Sequence, residues 1–499
     1  MHSLFRLVIL ISGWYMSTCV LAVSDDGPVL LEKRSAWLTA VSQCESRLKH
    51  LHDGHGHVTV HIPPNITGHW VSNSCEVRPG PEFLTRSYRF YSNHTFHALQ
   101  FYYQDHHCTK PSYTLLIRGS VRLLQASWVV RGGTESEYRL SRVLLLCHGL
   151  AADVQRRLET GCDLRGALRP GEMHELWDER WASPGRDCTP GLDFSMQELQ
   201  LMRLERRYHH GDPGREAEEL FLGDVHTERA QRRLHRPSGY QTPLQSAKTD
   251  DRHCRVCQMI ASADLHHPPV LPAQRNRPVR LHGNWVSTRC EVRPGVLFLT
   301  RYLTFHEESS TWKGEYEHFS DPVCRYPTFS ITASGHYIRG APSSTVMGAV
   351  QFTFTVTHMK VTPMDVATTS LLNVFSGHEC GAGGSWKLAI QQDVTSTAGC
   401  AALGIRLPHT EYELFSMGQD SDGHILLYNG QRPTNGSSPD QPHTRATSYQ
   451  PPLIRCTAGQ KGEPHVSKEG DQHFRLSNGC DIIAALFNLT VLIILITFM

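Results

Sequence analysis

The chain has 499 residues, 39% of them apolar and 19% charged, with a formal net charge of +1. That balance is globular, and the length is too great for one ordinary domain. With 49 Lys and Arg against 48 Asp and Glu, no global basic field exists, which excludes a generic nucleic-acid binder.

The first element is targeting sequence. Residues 1–22 read as a secretory signal: Arg6 is the positive flank, Leu7 to Ile11 the apolar stretch, and Val20-Leu21-Ala22 a small-residue cleavage site. Ser35 to Leu51 is expected to be a helix, capped by Ser35, with Trp37, Val41, Cys44, Leu48 and Leu51 at helical spacing. Strands are expected over Phe83 to Tyr91, Thr95 to Tyr103, Tyr113 to Leu124 and Arg139 to Leu146, which are rich in aromatic and β-branched residues. Met196 to Tyr208 and Glu216 to Leu222 read as helical. Farther on, Phe329, Ile331 and Ala333, then Phe352, Phe354 and Val356, alternate with Ser and Thr as half-buried strands do. Residues 458–481 read as a juxtamembrane linker. Ile482 to Met499 is apolar and near the lower limit for a membrane span. The reading is a single-pass type I protein at the cell membrane, its ectodomain outside. The alternative is a glycolipid-anchor signal around Ser477-Asn478-Gly479. Asn65, Asn93 and Asn435 stand in glycosylation sequons, consistent with an extracellular location.

The chain repeats itself once. GHWVSNSCEVRPGPEFLTR (68–86) returns as GNWVSTRCEVRPGVLFLTR (283–301), at a constant offset of 215. A period of that size is a domain duplication rather than a solenoid. It divides the ectodomain into residues 35–255 and 256–457. Cysteines follow the repeat. Cys44, Cys75, Cys108, Cys162, Cys188 and Cys254 correspond one to one with Cys257, Cys290, Cys324, Cys380, Cys400 and Cys456. Three bridges are expected inside each half, with equivalent connectivity. Cys254-Arg255-Val256-Cys257 has redox or zinc spacing, but the repeat reads it as one Cys closing the first half and one opening the second. The fold class is therefore mainly β: two duplicated antiparallel barrel-like domains with short helices, stapled by disulfides. A barrel removes exposed edges and, at about eight strands, can hold one small ligand.

Chemistry-bearing motifs are scarce. His50, His52, His55, His57 and His61 crowd together without zinc-site spacing, and Asp420-Ser421-Asp422-Gly423 lacks the later acidic position of a calcium loop. No metal or cofactor is expected. No nucleophile elbow, H-E-x-x-H or phosphate loop occurs, so the reading is not an enzyme. Cys147 has no counterpart and sits in the apolar run Leu144-Leu145-Leu146, as a buried thiol would. Arg203 to Arg236 reads as a solvated helical face or as a docking surface for an acidic partner. Glu76 to Pro79 and Glu291 to Pro294 read as ion pairs fixing strand ends. Tyr88, Phe90, Phe96, Leu99, Phe101, Tyr113, Leu115 and Ile117 would converge on the first barrel's interior if the sheet closes. They fill a solid core or line an apolar ligand site.

GHWVSNSCEVRPGPEFLTRSYRFY, LFLGDVHT, RPSGYQTPLQ, HHPPVLP, KVTPMD and LPHTEYELF closely resemble the adenomatosis polyposis coli down-regulated proteins, over about residues 35–456. The resemblance implies a single-pass cell-surface glycoprotein that inhibits Wnt signalling by binding Wnt proteins and the low-density-lipoprotein-receptor-related co-receptor. It implies a second Cys near Arg186-Asp187-Cys188 that this chain lacks, which leaves Cys147 unpaired. Wnt proteins carry a mono-unsaturated acyl chain, and an aromatic barrel could sequester it. The competing functions are an adhesion or co-receptor module that binds protein faces only, and an esterase acting on the acyl group. A homodimer is left open.

Overall fold

The computed structural model describes residues 43–52, 58–149, 152–162, 168–181, 186–208, 216–248, 254–273, 277–374, 380–381, 386–420 and 422–456. The signal sequence and the apolar C-terminal run lie outside them. Among the described residues no helix is long and apolar enough to cross a membrane.

Eight strands of the first repeat form one ring: β1 (Gly68–Val71), β2 (Glu82–Phe90), β3 (Thr95–Tyr103), β4 (Pro111–Ala126), β5 (Thr134–Cys147), β6 (Leu201–Tyr208), β7 (Glu216–Leu222) and β8 (Leu244–Ser246). Each pairs antiparallel with the next, and β8 returns to β1 through Gln245↔Val71. The second repeat builds the same ring: β9 (Gly283–Ser287), β10 (Leu297–His306), β11 (Thr311–Phe319), β12 (Pro327–Pro342), β13 (Val350–Pro363), β14 (His409–Gln419), β15 (Ile425–Asn429) and β16 (Leu453–Arg455). It closes through Val286↔Ile454. Closure gives every interior strand edge a partner, so neither ring leaves a long edge in water. Both rings bend at the same place. Register slips at Gly119 in β4 and at Gly335 in β12. A Cβ there would lie 2.3 Å from the Arg139 carbonyl oxygen and 1.8 Å from that of Thr355. Only glycine permits such an approach.

Two expected helices are strand. Met196 to Tyr208 is a short 3₁₀ turn, Gln197–Gln200, followed by β6, and Glu216 to Leu222 is β7. The governing period is two. Met202 and Leu204 face the core, while Arg203 and Glu205 pair with each other on the opposite face. The polar side is buried too, which disguised the alternation.

Four helices accompany the barrels: α1 (residues 43–52), α2 (Ala152–Gly161), α3 (Arg255–Ala261) and α4 (Val366–Val374). Twelve cysteines form six disulfides. Cys75–Cys108 matches Cys290–Cys324, and Cys162–Cys188 matches Cys380–Cys400. The remaining four depart from the expectation of bridges inside each half. Cys44 bonds Cys456, and Cys254 bonds Cys257. The cause is an exchange of helices between repeats. Helix α1, the opening helix of the first repeat, packs Cys44 and Leu48 against Val286, Leu426 and Ile454 of the second barrel. Helix α3, its counterpart, packs Cys257 and Ile260 against Val71, Phe83 and Phe101 of the first. Both barrels lie in one compact unit ending at Ala458.

Candidate functional site

Strand parity sorts the eight predicted site residues. Tyr88, Phe90, Phe96, Leu115 and Ile117 belong to the first barrel's core, and Tyr113 packs against it, stacked on Tyr102 at 4.5 Å. Leu99 and Phe101 do not join them. They lie on the outer face of β3 beneath α3. Residues 96 and 99 have opposite parity on a strand, so they cannot share a face. The outer face is apolar as well because a helix covers it, which made the two faces look alike in sequence.

A charged network crosses the interior. Glu198 accepts from Arg78 Nη2 at 2.5 Å, Tyr88 hydroxyl at 2.5 Å and Gln241 Nε2 at 2.9 Å. Gln100 Nε2 donates to the Tyr88 hydroxyl at 2.6 Å, and the Tyr102 hydroxyl to Gln100 Oε1 at 2.9 Å. Burial works against the Glu198 carboxylate, but Arg78 and Arg86 outweigh it and hold its pKa below the ordinary range. Burial and Glu198 together push the Tyr88 hydroxyl far above its ordinary pKa. These groups are fixed in one protonation state, so they suit a scaffold rather than proton transfer, although among the described residues Arg78 Nε and Gln241 Oε1 find no hydrogen-bond partner. The adjoining cavity is only about 30 Å³, room for a water or two. The first repeat's ion pair differs from the expected one, while the second repeat's Glu291–Arg293 pair forms as expected. Glu76 pairs with Arg86, and Arg78 reaches Glu198 instead. In the second repeat Glu291 holds both Arg293 and Arg301.

The segment Phe194 to Gln197 lines that polar cavity on one side and a larger cleft of about 410 Å³ on the other. Tyr138, Leu140, Trp177 and Phe194 wall the cleft, with Arg139, Glu179 and Arg233 also lining it. Arg139 and Glu179 pair at 3.6 Å at the exposed edge. The four wall residues pack on or within the barrel core. Trp177 is positioned by its strand, Met173–Asp178, which adds to β5 with Val143 opposite Trp177. The Cys162–Cys188 bridge holds the excursion that carries Phe194. Sequence reasoning missed this site. Trp177 belongs to no motif singled out in the sequence, and Phe194 lies next to a stretch read as helix.

The two repeats use their excursions differently. In the first, Val154 and Leu158 of α2, with Leu176, Leu192, Phe194 and Met196, share one cluster with the barrel interior. In the second, Leu372, Cys380, Trp386, Val394 and Cys400 form a cluster of their own with Val361. That barrel is filled by Phe305, Trp312, Tyr337, Phe352, Phe354 and Phe415. Among the described residues the first barrel's buried core runs on into its excursion, whereas in the second only the partly buried Met359 packs against both clusters.

A family model for adenomatosis polyposis coli down-regulated 1 matches the chain twice, over residues 43–272 and 273–462. The chain belongs to this family. Membership brings a Wnt-pathway-related role. The repeats meet at 272/273 in that match, beyond α3, in keeping with α3 packing on the first barrel.

Other expected sites resolve simply. Cys254 and Cys257 are bonded to each other, so neither closes its own half. Cys147 is a buried free thiol, pushed up to about 11 by burial and then Glu172, which is unsuited to nucleophilic attack. The Arg203–Arg236 run is no free basic surface. Arg203, Arg206, Arg207, Arg232 and Arg236 all meet carboxylates. Of the histidine cluster, His55 and His57 lie outside the described residues, and His52 sits 3.1 Å from the Thr300 hydroxyl. Among the described residues Asp420, Asp422 and His424 come together. Asp420 Oδ1 accepts the backbone N–H groups of Asp422 and His424, which makes it a turn. Asn65, Asn93 and Asn435 are all exposed.

Proposed function

We propose that this chain binds Wnt proteins by taking their acyl chain into the cleft walled by Tyr138, Leu140, Trp177 and Phe194. It thereby withholds that group from Wnt receptors and negatively regulates the pathway. The co-receptor related to the low-density-lipoprotein receptor is a second partner, met through protein faces. The observation that carries the reading is a cleft of ligand size, with Tyr138, Leu140, Trp177 and Phe194 forming its apolar part and Arg139, Glu179, Asp187 and Arg233 its polar part, beside the barrel whose buried core, among the described residues, runs on into its excursion. Six disulfides fit an oxidising, extracellular setting. Glycosylation at Asn65, Asn93 and Asn435 and anchoring through residues 482–499 belong to the same proposal.

The energetics suffice. Burying about ten methylenes at ~0.8 kcal/mol each gives roughly 8 kcal/mol, the free energy of micromolar binding. None of the six interior residues expected to line the site lines this cleft; Tyr113 and Leu115 border the small polar cavity instead. The test pairs Leu140→Glu with Trp177→Ala in the secreted protein. Both should be secreted normally yet lose a fluorescent fatty acid and acylated Wnt. De-acylated Wnt should not bind the parent. Retained binding of de-acylated Wnt would move the function to protein surfaces, and turnover of the acyl ester would make it an esterase.

A further inference from the structure

Helix α4 is amphipathic in the wrong sense for a helix serving only its own core. Its sequence is VATTSLLNV. Of its nine residues, Leu372 alone is a buried hydrophobic. At 100° per residue, Val366, Ala367, Ser370, Leu371 and Val374 occupy one face, and all five are exposed. Val366 is 71% and Val374 79% exposed, among the most exposed large apolar residues described. The opposite face carries Thr368, Thr369 and Asn373 with Leu372.

The patch extends beyond the helix. Asn373 Oδ1 accepts the Trp386 backbone N–H at 2.6 Å, and its Nδ2 donates to the Trp386 carbonyl at 3.1 Å. The Ala389 backbone N–H donates to the Pro363 carbonyl at 2.9 Å. These bonds lay residues 386–390 alongside α4 and the end of β13. Leu388, Ile390 and Met364 are exposed there too. Val366, Leu371 and Val374 of α4 and Met364, Leu388 and Ile390 beside it are thus exposed on neighbouring segments of the second repeat. The helix itself bears no charge, and Lys387 is the one cation between Trp386 and Leu388. Soluble proteins seldom expose such a patch without a use for it.

We infer that this patch rests on the outer surface of a lipid bilayer, with α4 lying in the interface. The face offers aliphatic side chains and almost no hydrogen-bonding or charged groups, which is what lipid accepts and a specific protein partner does not require. Its placement agrees. The patch is on the repeat whose last strand, β16, ends at Arg455, and the apolar run Ile482 to Met499 begins some 25 residues later. If that run is the anchor, a reading the inference borrows from the proposed function, a linker of about 25 residues raises the effective concentration of a weak contact. Anionic lipid is not needed, since a single lysine supplies the charge.

The test uses the full chain with a polarity-sensitive fluorophore at Val374→Cys, and at Ile338→Cys as reference. Ile338 is 71% exposed, on β12 about 30 Å from the end that meets α4. Cys147 is buried and stays unlabelled, and Cys480, which lies outside the described residues, is replaced by Ser in every variant. With phosphatidylcholine vesicles, the probe at 374 should shift to the blue, lose quenching by aqueous iodide, and gain quenching by shallow doxyl lipids. The probe at 338 should do none of these, and added salt should change nothing. Carbonate extraction reports the anchor separately. A probe at 374 that stays in water overturns the inference whether or not the chain is anchored. Protection that follows protein density rather than doxyl lipid overturns it in favour of a second copy. Because the patch is exposed, the triple variant Val366→Ser, Leu371→Ser and Val374→Ser should be secreted like the parent and abolish quenching by doxyl lipid from a probe at Ile390→Cys.

Discussion

Arg86 explains why CEVRPG-x-x-FLTR occurs twice. Its side chain is fully buried and grips Glu76 with Nε at 3.0 Å and Nη2 at 2.9 Å, while Nη2 also donates to the Thr242 carbonyl at 2.8 Å. Arg301 repeats this with Glu291 and the Pro451 carbonyl. Thr242 and Pro451 lie immediately before the closing strands β8 and β16. Each arginine therefore fastens the start of its barrel to the end, a long-range closure that local propensity cannot secure. Arg86→Met should leave Glu76 buried and unpaired, at a cost of roughly 3–5 kcal/mol. Adding Glu76→Gln should recover much of it, measured by thermal unfolding and secreted yield. A second prediction concerns Glu413, buried in the second barrel. Burial and then the neighbouring Glu411 carboxylate push its pKa up to about 8. The folded state holds that proton after the unfolded chain has released it, so this contribution to stability falls as pH rises from about 4.5 to 8. His69 and His318 act oppositely. Burial lowers both to about 4, so their contribution is lost as pH falls from 6.5. Between pH 6.5 and 8 the carboxyl term remains. Melting temperature should drop across that window in the parent and stay level in Glu413→Gln.

Among the elements, the exchanged helices α1 and α3 make the two closing disulfides unequal. Cys44–Cys456 spans 412 residues and Cys254–Cys257 only 3. On chain entropy the first is worth about 6 kcal/mol and the second about 1.6. The pair Cys44→Ser with Cys456→Ser should therefore cut secretion and lower the melting temperature far more than Cys254→Ser with Cys257→Ser. Unreduced peptide mapping should link Cys44 to Cys456. Links 44–254 and 257–456 would mean that each helix stays on its own barrel. The same elements show what the sequence can and cannot convey. Strands β2 to β5, and β12 and β13 of the second repeat, were legible from their aromatic and β-branched residues, and the duplication was legible because CEVRPG is too long to recur by chance. Strands β6 and β7 were not, because Arg203, Glu205 and Glu219 are buried by pairing and so break the usual apolar-in, polar-out pattern. Which copy of a duplicated helix covers which barrel is a matter of connection lengths, and identical cysteine spacing cannot reveal it. The cleft was partly legible. The first barrel was indicated, but Trp177 and Phe194 arrive from an excursion whose path depends on the Cys162–Cys188 bridge.

At the scale of the whole molecule, the exchange makes the two barrels one folding unit. The contact between them is built from both. Arg289 of the second repeat donates through Nη1 and Nη2 to Glu219 of the first, at 3.0 and 3.1 Å, and Arg207 holds the same carboxylate at 3.0 Å. Burial opposes that charge, but the two guanidinium groups outweigh it and bring the pKa down to about 2. Gly239 lies flat on the second repeat, and a Cβ there would stand 2.7 Å from the backbone of Arg293 and Pro294. An interface that joins a buried ion pair, a backbone contact without room for a methyl group and an exchanged helix on each side should melt with its barrels. Calorimetry of the parent should accordingly give one transition, with calorimetric and van't Hoff enthalpies in agreement. Gly239→Ala forces the repeats apart by at least a few tenths of an ångström and should cost about 1–3 kcal/mol, as overpacking does. Arg289→Ala removes one of the two cations from Glu219 and should raise that carboxyl's pKa, so the stability lost as pH falls from about 4.5 should be smaller and confined to a narrower window than in the parent. Combined, the two changes should broaden or split the transition while Cys44–Cys456 still ties the chain. Two resolved transitions in the unmodified protein would show that the barrels fold independently and that the helix exchange does not couple them.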